Sequence, residues 1–140
     1  MIIIRKYKPH DKDSLIKLWQ TSFPDPAPHN EPTLVLAEKL KVDNLIFIAE
    51  KSEQIIGSCM AGYDGHRGWL YSVAVSPKLR RTGIGSKLIK HAIKQLNQKG
   101  CAKVNLQILQ TNPQVIQFYQ SLGFSVEERI SMGKFTDLQR

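Results

Sequence analysis

Carboxylates are scarce in this chain of 140 residues: 12 Asp and Glu stand against 20 Lys and Arg, for a formal net charge of +8. That excess leaves nucleic acid, acidic protein surfaces and polyanionic small molecules open as partners and selects none of them. Cysteine is scarcer still. Cys59 and Cys101 are far apart, with no Cys-x-x-Cys and no zinc spacing, which points to neither a disulfide framework nor a metal centre. Both are expected as buried thiols, and Cys59 has no histidine near it in sequence to make it a nucleophile. Long apolar runs are missing too: Leu45 to Ala49 is far too short to cross a bilayer. Met1-Ile2-Ile3-Ile4-Arg5 enters a strand directly and lacks a signal-peptide layout, so a cytoplasmic protein is expected. No repeat, low-complexity tract or linker interrupts the chain. One domain over 1–140 is expected.

What is present follows an α/β (α+β) grammar. Ile2 to Tyr7 reads as a strand, and Asp11 or Asp13 can cap a helix carrying Leu15, Ile16, Leu18, Trp19 and Phe23. Pro24 to Pro28 breaks that helix, and a second runs from about Glu31 to Leu40. Leu45 to Glu50, Ile55 to Tyr63 and Trp69 to Val75 then form an antiparallel meander. A helix from Gly83 to Lys99 carries one apolar stripe of Ile84, Leu88, Ile89, Ala92, Ile93 and Leu96, and Gly100 ends it. Lys103 to Leu109 reads as a strand. Asn112-Pro113 reads as the cap and first residue of a last helix, which Gly123 closes. Phe124 to Glu128 and Ile130 to Lys134 complete the pattern as strands. The sheet is therefore expected to be mixed, mostly antiparallel, of about seven strands, flanked by about four helices.

The most informative segment is Arg80-Arg81-Thr82-Gly83-Ile84-Gly85-Ser86, between an apolar strand and an amphipathic helix. Two glycines there let bare backbone N–H groups approach an anion at the positive end of a helix dipole. Arginine adds a forked, permanently charged donor. A nucleotide P-loop would need Gly-x-x-x-x-Gly-Lys-Ser/Thr, which is absent. A dinucleotide fingerprint would need a third glycine where Leu88 stands. Nucleic-acid binding would call for exposed aromatics among the basic residues, but the aromatics fall at core positions of strands and helices.

Val73-Ala74-Val75-Ser76-Pro77 leading into Arg80-Arg81-Thr82-Gly83-Ile84-Gly85 resembles the acetyl-CoA motif of the GNAT N-acetyltransferases, Arg/Gln-x-x-Gly-x-Gly/Ala. Asn112, Phe118-Tyr119 and Leu122-Gly123-Phe124 are similar to that family's later segment, and the order of elements agrees along nearly the whole chain. The resemblance implies a GNAT-like acyl-CoA N-acyltransferase fold and acetyl-CoA as acyl donor. It implies that the backbone at Val73, Ala74 and Val75 pairs with the pantetheine arm. Arg81, Thr82, Gly83, Ile84, Gly85 and Ser86 would surround the pyrophosphate, with Arg80 nearby. Asn112 would hold the pantetheine or the far end of the cofactor, and Tyr119 would face the sulfur as general acid.

The acceptor is then a small-molecule or protein amine, with no nucleic acid, membrane or metal required. Many members carry a glutamate on the strand entering the phosphate loop, but Trp69 to Val75 holds no carboxylate. Asp64, His66 and Tyr71 remain as base or acceptor-binding residues, beside a water relay. The missing carboxylate also keeps a second reading, an acetyl-CoA-binding sensor or scaffold. An exposed final strand near Met132 to Phe135 could pair with a second copy of the chain as a homodimer.

Overall fold

The computed structural model describes residues 1–138. They divide into two compact units, Met1–Leu106 and the segment from Gln107 onward. The first holds a sheet in the order β1-β2-β3-β4-β5. Its strands are β1 (Ile2–Lys6), β2 (Ile46–Lys51), β3 (Gln54–Tyr63), β4 (Gly68–Val75) and β5 (Val104–Asn105). The first four run antiparallel, and β5 joins β4 in parallel. Ser52 and Glu53, both at positive φ, form the two-residue turn between β2 and β3, which matches the right-handed twist of the hairpin.

Alternation along the strands gives the sheet two apolar faces. On one, Ile46, Ile48, Met60 and Ala74 pack against Leu15, Leu18 and Trp19 of α1 (Lys12–Ser22) and Leu36 of α2 (Pro32–Val42). The buried Trp19 indole N–H donates to Ser58 Oγ at 2.9 Å, so this polar pair is satisfied inside the core. Glu31 caps α2 by accepting from the N–H groups of Thr33 and Leu34, each at 3.0 Å. On the other face lies α3 (Ile84–Gln98), burying Ile84, Leu88, Ile89, Ala92 and Leu96 of the expected stripe, with Ile93 at its margin. Gly100, at φ 92°, turns the chain out of α3 in the left-handed region that disfavours side chains.

Close approach explains Gly68. A Cβ there would lie 2.7 Å from Cys101 Sγ and 3.1 Å from Leu96 Cδ1. Gly68→Ala should therefore destabilise the protein by about 1–3 kcal/mol, the usual range for overpacking. A lowered urea midpoint with an unchanged slope checks it.

The second unit holds α4 (Val115–Ser121), and its chain differs from the expectation in three ways. The strand expected over 103–109 is confined to Val104–Asn105. Neither 124–128 nor 130–134 forms a strand, so the sheet has five strands rather than about seven. Alternating apolar residues favour an extended chain, but a strand also needs an edge to pair with. The described part of this unit contains none, and Val126, Ile130 and Met132 are exposed. Third, Gln114 rather than Asn112 precedes α4. Residues 112–116 are tightened instead by Val115 N–H to Asn112 O (3.4 Å) and Ile116 N–H to Pro113 O (3.1 Å), a 3₁₀-type pattern.

Candidate functional site

The site starts with a register shift in β4. Ser58 pairs with Ala74 and Met60 with Tyr71, so Cys59 alone faces both Ser72 and Val73. Ser72 takes φ 48° at this bulge. The Ser76 N–H donates to Ile56 O at 2.8 Å. Strand alternation then turns the N–H groups of Val75 and Val73 away from β3. On that side β5 pairs only with Gly68 and Trp69. From Leu70 to Val75 the outer edge of β4 has no strand partner among the described residues. It is an edge able to take an extended ligand through main-chain hydrogen bonds.

Beyond that edge the chain turns through Pro77–Leu79 into the glycine-containing loop. The Thr82 hydroxyl donates to Leu79 O, and Arg80 Nε–H donates to Val75 O at 3.4 Å, tying the loop to the end of β4. Arg81 sits at φ 65°, an uncommon conformation for a side-chain-bearing residue, and is exposed. Gly83, at φ 86°, is the N-cap of α3 and offers no side chain to cap it. The first helical bond of α3 runs from Lys87 N–H to Gly83 O at 3.1 Å. The amides of Ile84, Gly85 and Ser86 therefore point out of the helix start without intrahelical acceptors. With roughly half a unit of positive charge from the dipole and Arg81 alongside, this is a receptive site for a polyphosphate.

Residues 12–124 match the model of the acetyltransferase (GNAT) family. The chain belongs to that family. Two bacterial relatives agree. An acetyltransferase of Pectobacterium atrosepticum is 36% identical over 132 residues, covering 94% of this chain and 93% of its own length. An acetyltransferase of Yersinia enterocolitica shows the same identity and coverage. Among solved structures, an aminoglycoside N-acetyltransferase in complex with CoA superposes with a TM-score of 0.80 at 21% identity, over 96% of this chain and 95% of its own. The glucosamine-6-phosphate N-acetyltransferase of Arabidopsis thaliana gives 0.70 at 24% identity, over 98% and 99%. Those two structures establish the GNAT fold for this chain. No helix among the described residues is long and apolar enough to cross a membrane.

The remaining candidate residues of this GNAT chain lie in distinct settings. Asp64 is exposed in the turn between β3 and β4. Its Oδ1 accepts from the N–H groups of His66 (2.8 Å) and Arg67 (2.7 Å), which hold the carboxyl below the usual carboxylate range. His66 is exposed in the same turn. Tyr71, 44% exposed, has its phenol pushed up by burial and by the Asp64 charge. In the second unit Asn112 precedes α4. Tyr119 is half-buried there, edge-on to Phe118 (5.1 Å) and Phe124 (5.6 Å). Cys59 is fully buried and its thiol is pushed up to about 12, which leaves it inert as a nucleophile.

One polar centre has no counterpart in the sequence reading. Arg5 grips Asp11 with Nη1–Oδ2 at 2.7 Å and Nη2–Oδ1 at 2.9 Å, and reaches Glu50 Oε1 from Nε (3.0 Å) and Nη2 (2.8 Å). Asp11 also accepts the Lys8 N–H at 2.8 Å. Asp11, one of the two candidate caps, is the N-cap residue of α1, but its carboxylate makes no capping bond to that helix. These three side chains, with His10, Ser14, Glu53 and Ile55, line an open cavity of about 430 Å³. Glu50 stands two strands from β4. The charged ends of two apolar strands, Arg5 on β1 and Glu50 on β2, gave the only signal, and pairing register was needed to read it.

Proposed function

We propose that residues 1–140 serve as one N-acetyltransferase domain that moves an acetyl group from acetyl-CoA to a primary amine in a ternary complex. The observation that carries this reading is the outer edge of β4 from Leu70 to Val75, which has no strand partner among the described residues, running into the start of α3 without a side-chain cap. An extended arm with amides fits the first, and a pyrophosphate fits the second. Val73, Ala74 and Val75 would pair with the pantetheine. Arg81, Thr82, Gly83, Ile84, Gly85 and Ser86 would hold the pyrophosphate, braced by Arg80, and Asn112 would contact the cofactor. The CoA complex of the aminoglycoside enzyme, a relative in fold, supports the donor class.

The chemistry needs a neutral amine. At pH 7 a lysine-like amine with pKa about 10.4 must lose its proton at a cost of about 4–5 kcal/mol. The nitrogen then attacks the thioester carbonyl, and a β4 edge N–H stabilises the oxyanion. Collapse breaks the C–S bond, and Tyr119 gives its phenolic proton to the leaving thiolate. The geometry of Asp64 favours charge recognition over base catalysis, because two N–H donors stabilise its ionised form. A water relay, with His66 as the titratable group beside it, is the route assigned to the amine proton.

Thiol release from acetyl-CoA over a panel of amines tests the reading. The expected result is turnover with at least one cationic amine, with kcat/KM rising about tenfold per pH unit below the amine pKa. Tight acetyl-CoA binding without thiol release across the panel would favour the sensor reading.

A further inference from the structure

The acceptor side of this site can be read more closely from the β3–β4 hairpin. Trp69 and Tyr71 are two residues apart on β4, so they rise from the same face of the sheet. That spacing is about 6.6–6.8 Å along a strand. It is room for one small cation with an aromatic group on either side, each within the roughly 6 Å over which a ring attracts it. The residue opposite Trp69 is Gly62, so no side chain rises from β3 beside that indole. A Cβ on Gly62 would lie 3.5 Å from Tyr71 Cε2 and 3.8 Å from Lys39 Nζ. The Lys39 ammonium thus borders the same glycine, satisfied by Ala61 O and by Asp43 at 2.7 Å. Asp43 neutralises it, so it does not repel a second cation strongly.

Asp64 completes the set at the end of the hairpin. Both of its turn bonds use Oδ1, and Oδ2 has no partner among the described residues. The turn thus fixes an ionised carboxylate with one oxygen facing solvent. Tyr71 is 44% exposed and Trp69 is half-buried, so both remain reachable. We propose that Trp69, Tyr71 and Asp64 form the acceptor-recognition surface, and that the acceptor carries an ammonium group beside the amine that is acetylated. The inference rests on the amine-acetylating reading above. It assigns Tyr71 its ring, rather than its hydroxyl, as the working part.

Tetramethylammonium chloride is the probe, because it is small, has the charge and cannot be acetylated. Trp69 reports its arrival by fluorescence, since the only other tryptophan, Trp19, is buried at 2% exposure. A saturable change beyond that of equimolar potassium chloride is expected, and Trp69→Phe should abolish it. Asp64→Asn, which can still accept both turn N–H bonds, should weaken binding at least fivefold. Tyr71→Ala should weaken it about tenfold, and Tyr71→Phe should recover most of that loss. No saturable signal in the folded wild type, or wild-type affinity in both Asp64→Asn and Tyr71→Ala, overturns the inference. So does a Tyr71→Phe variant as weak as Tyr71→Ala. Acetyl-CoA calorimetry on the same samples separates the failures. Normal acetyl-CoA heat without a cation signal removes this inference alone, and absent heat removes the transferase reading and the acceptor assignment together.

Discussion

Asp11→Ala is expected to lower the unfolding free energy by about 3 kcal/mol, the lower end of the cost of stripping one partner from a buried ion pair. Asp11 is 3% exposed and meets Arg5 through two parallel bonds at 2.7 and 2.9 Å. Removing it leaves the Lys8 N–H without its acceptor and Arg5 with Glu50 as its one remaining carboxylate beside the Lys6 carbonyl. Arg5 is 17% exposed and can recruit water, which places the loss at the lower end. Asp11→Asn keeps an acceptor for Lys8 and should cost about half as much. Arg5, the Lys8 N–H and the neighbouring charges hold the Asp11 carboxyl below its usual range. A depressed carboxyl contributes stability above its unfolded pKa and loses it as pH falls through the folded value. The gap between wild type and Asp11→Asn should therefore be full above about pH 4 and close in more acidic solution. Urea titrations at several pH values measure it.

Tyr119→Phe is expected to lower kcat by about 10²–10⁴-fold, the contribution of a placed general acid. The substitution keeps the ring, so the edge-on contacts with Phe118 and Phe124 persist. Acetyl-CoA affinity should stay within twofold, which separates a lost proton donor from a lost binding group. Acceptors that react through the same carbonyl should all be slowed alike. Turnover that survives unchanged at every pH would remove the acid role, because the thiolate would then leave without help from this residue.

The parts that could be read early share one property: their signal is local. The α3 stripe from Ile84 to Leu96 and the glycines of the anion loop each declare themselves within a few residues. The candidate residues at Val73–Val75 and Arg80–Ser86 lie close together in sequence and fall where the strand-to-helix grammar put them. Pairing is not local. The bulge opposite Cys59 and the two-residue extent of β5 depend on register between strands, which no single segment encodes. The expected strands over 124–134 show the same limit from the other side. Their alternation is present, and the ladder is not. Asp11 shows it for charge: a cap-like aspartate next to a helix was claimed by an arginine on β1 and brought near Glu50 of β2.

The central claim is that the loop from Arg80 to Ser86 holds the diphosphate of an acyl-CoA while the β4 edge holds its arm. Titration calorimetry with acetyl-CoA, beside acetyl-pantetheine as the analogue lacking the diphosphate, tests it most directly. Wild-type protein should bind acetyl-CoA saturably. Binding should weaken at least tenfold for acetyl-pantetheine and likewise for acetyl-CoA with Arg81→Ala, in line with the loss of a charge-assisted hydrogen bond. Folded protein that gives no heat with millimolar acetyl-CoA, or that binds both ligands equally, would contradict it.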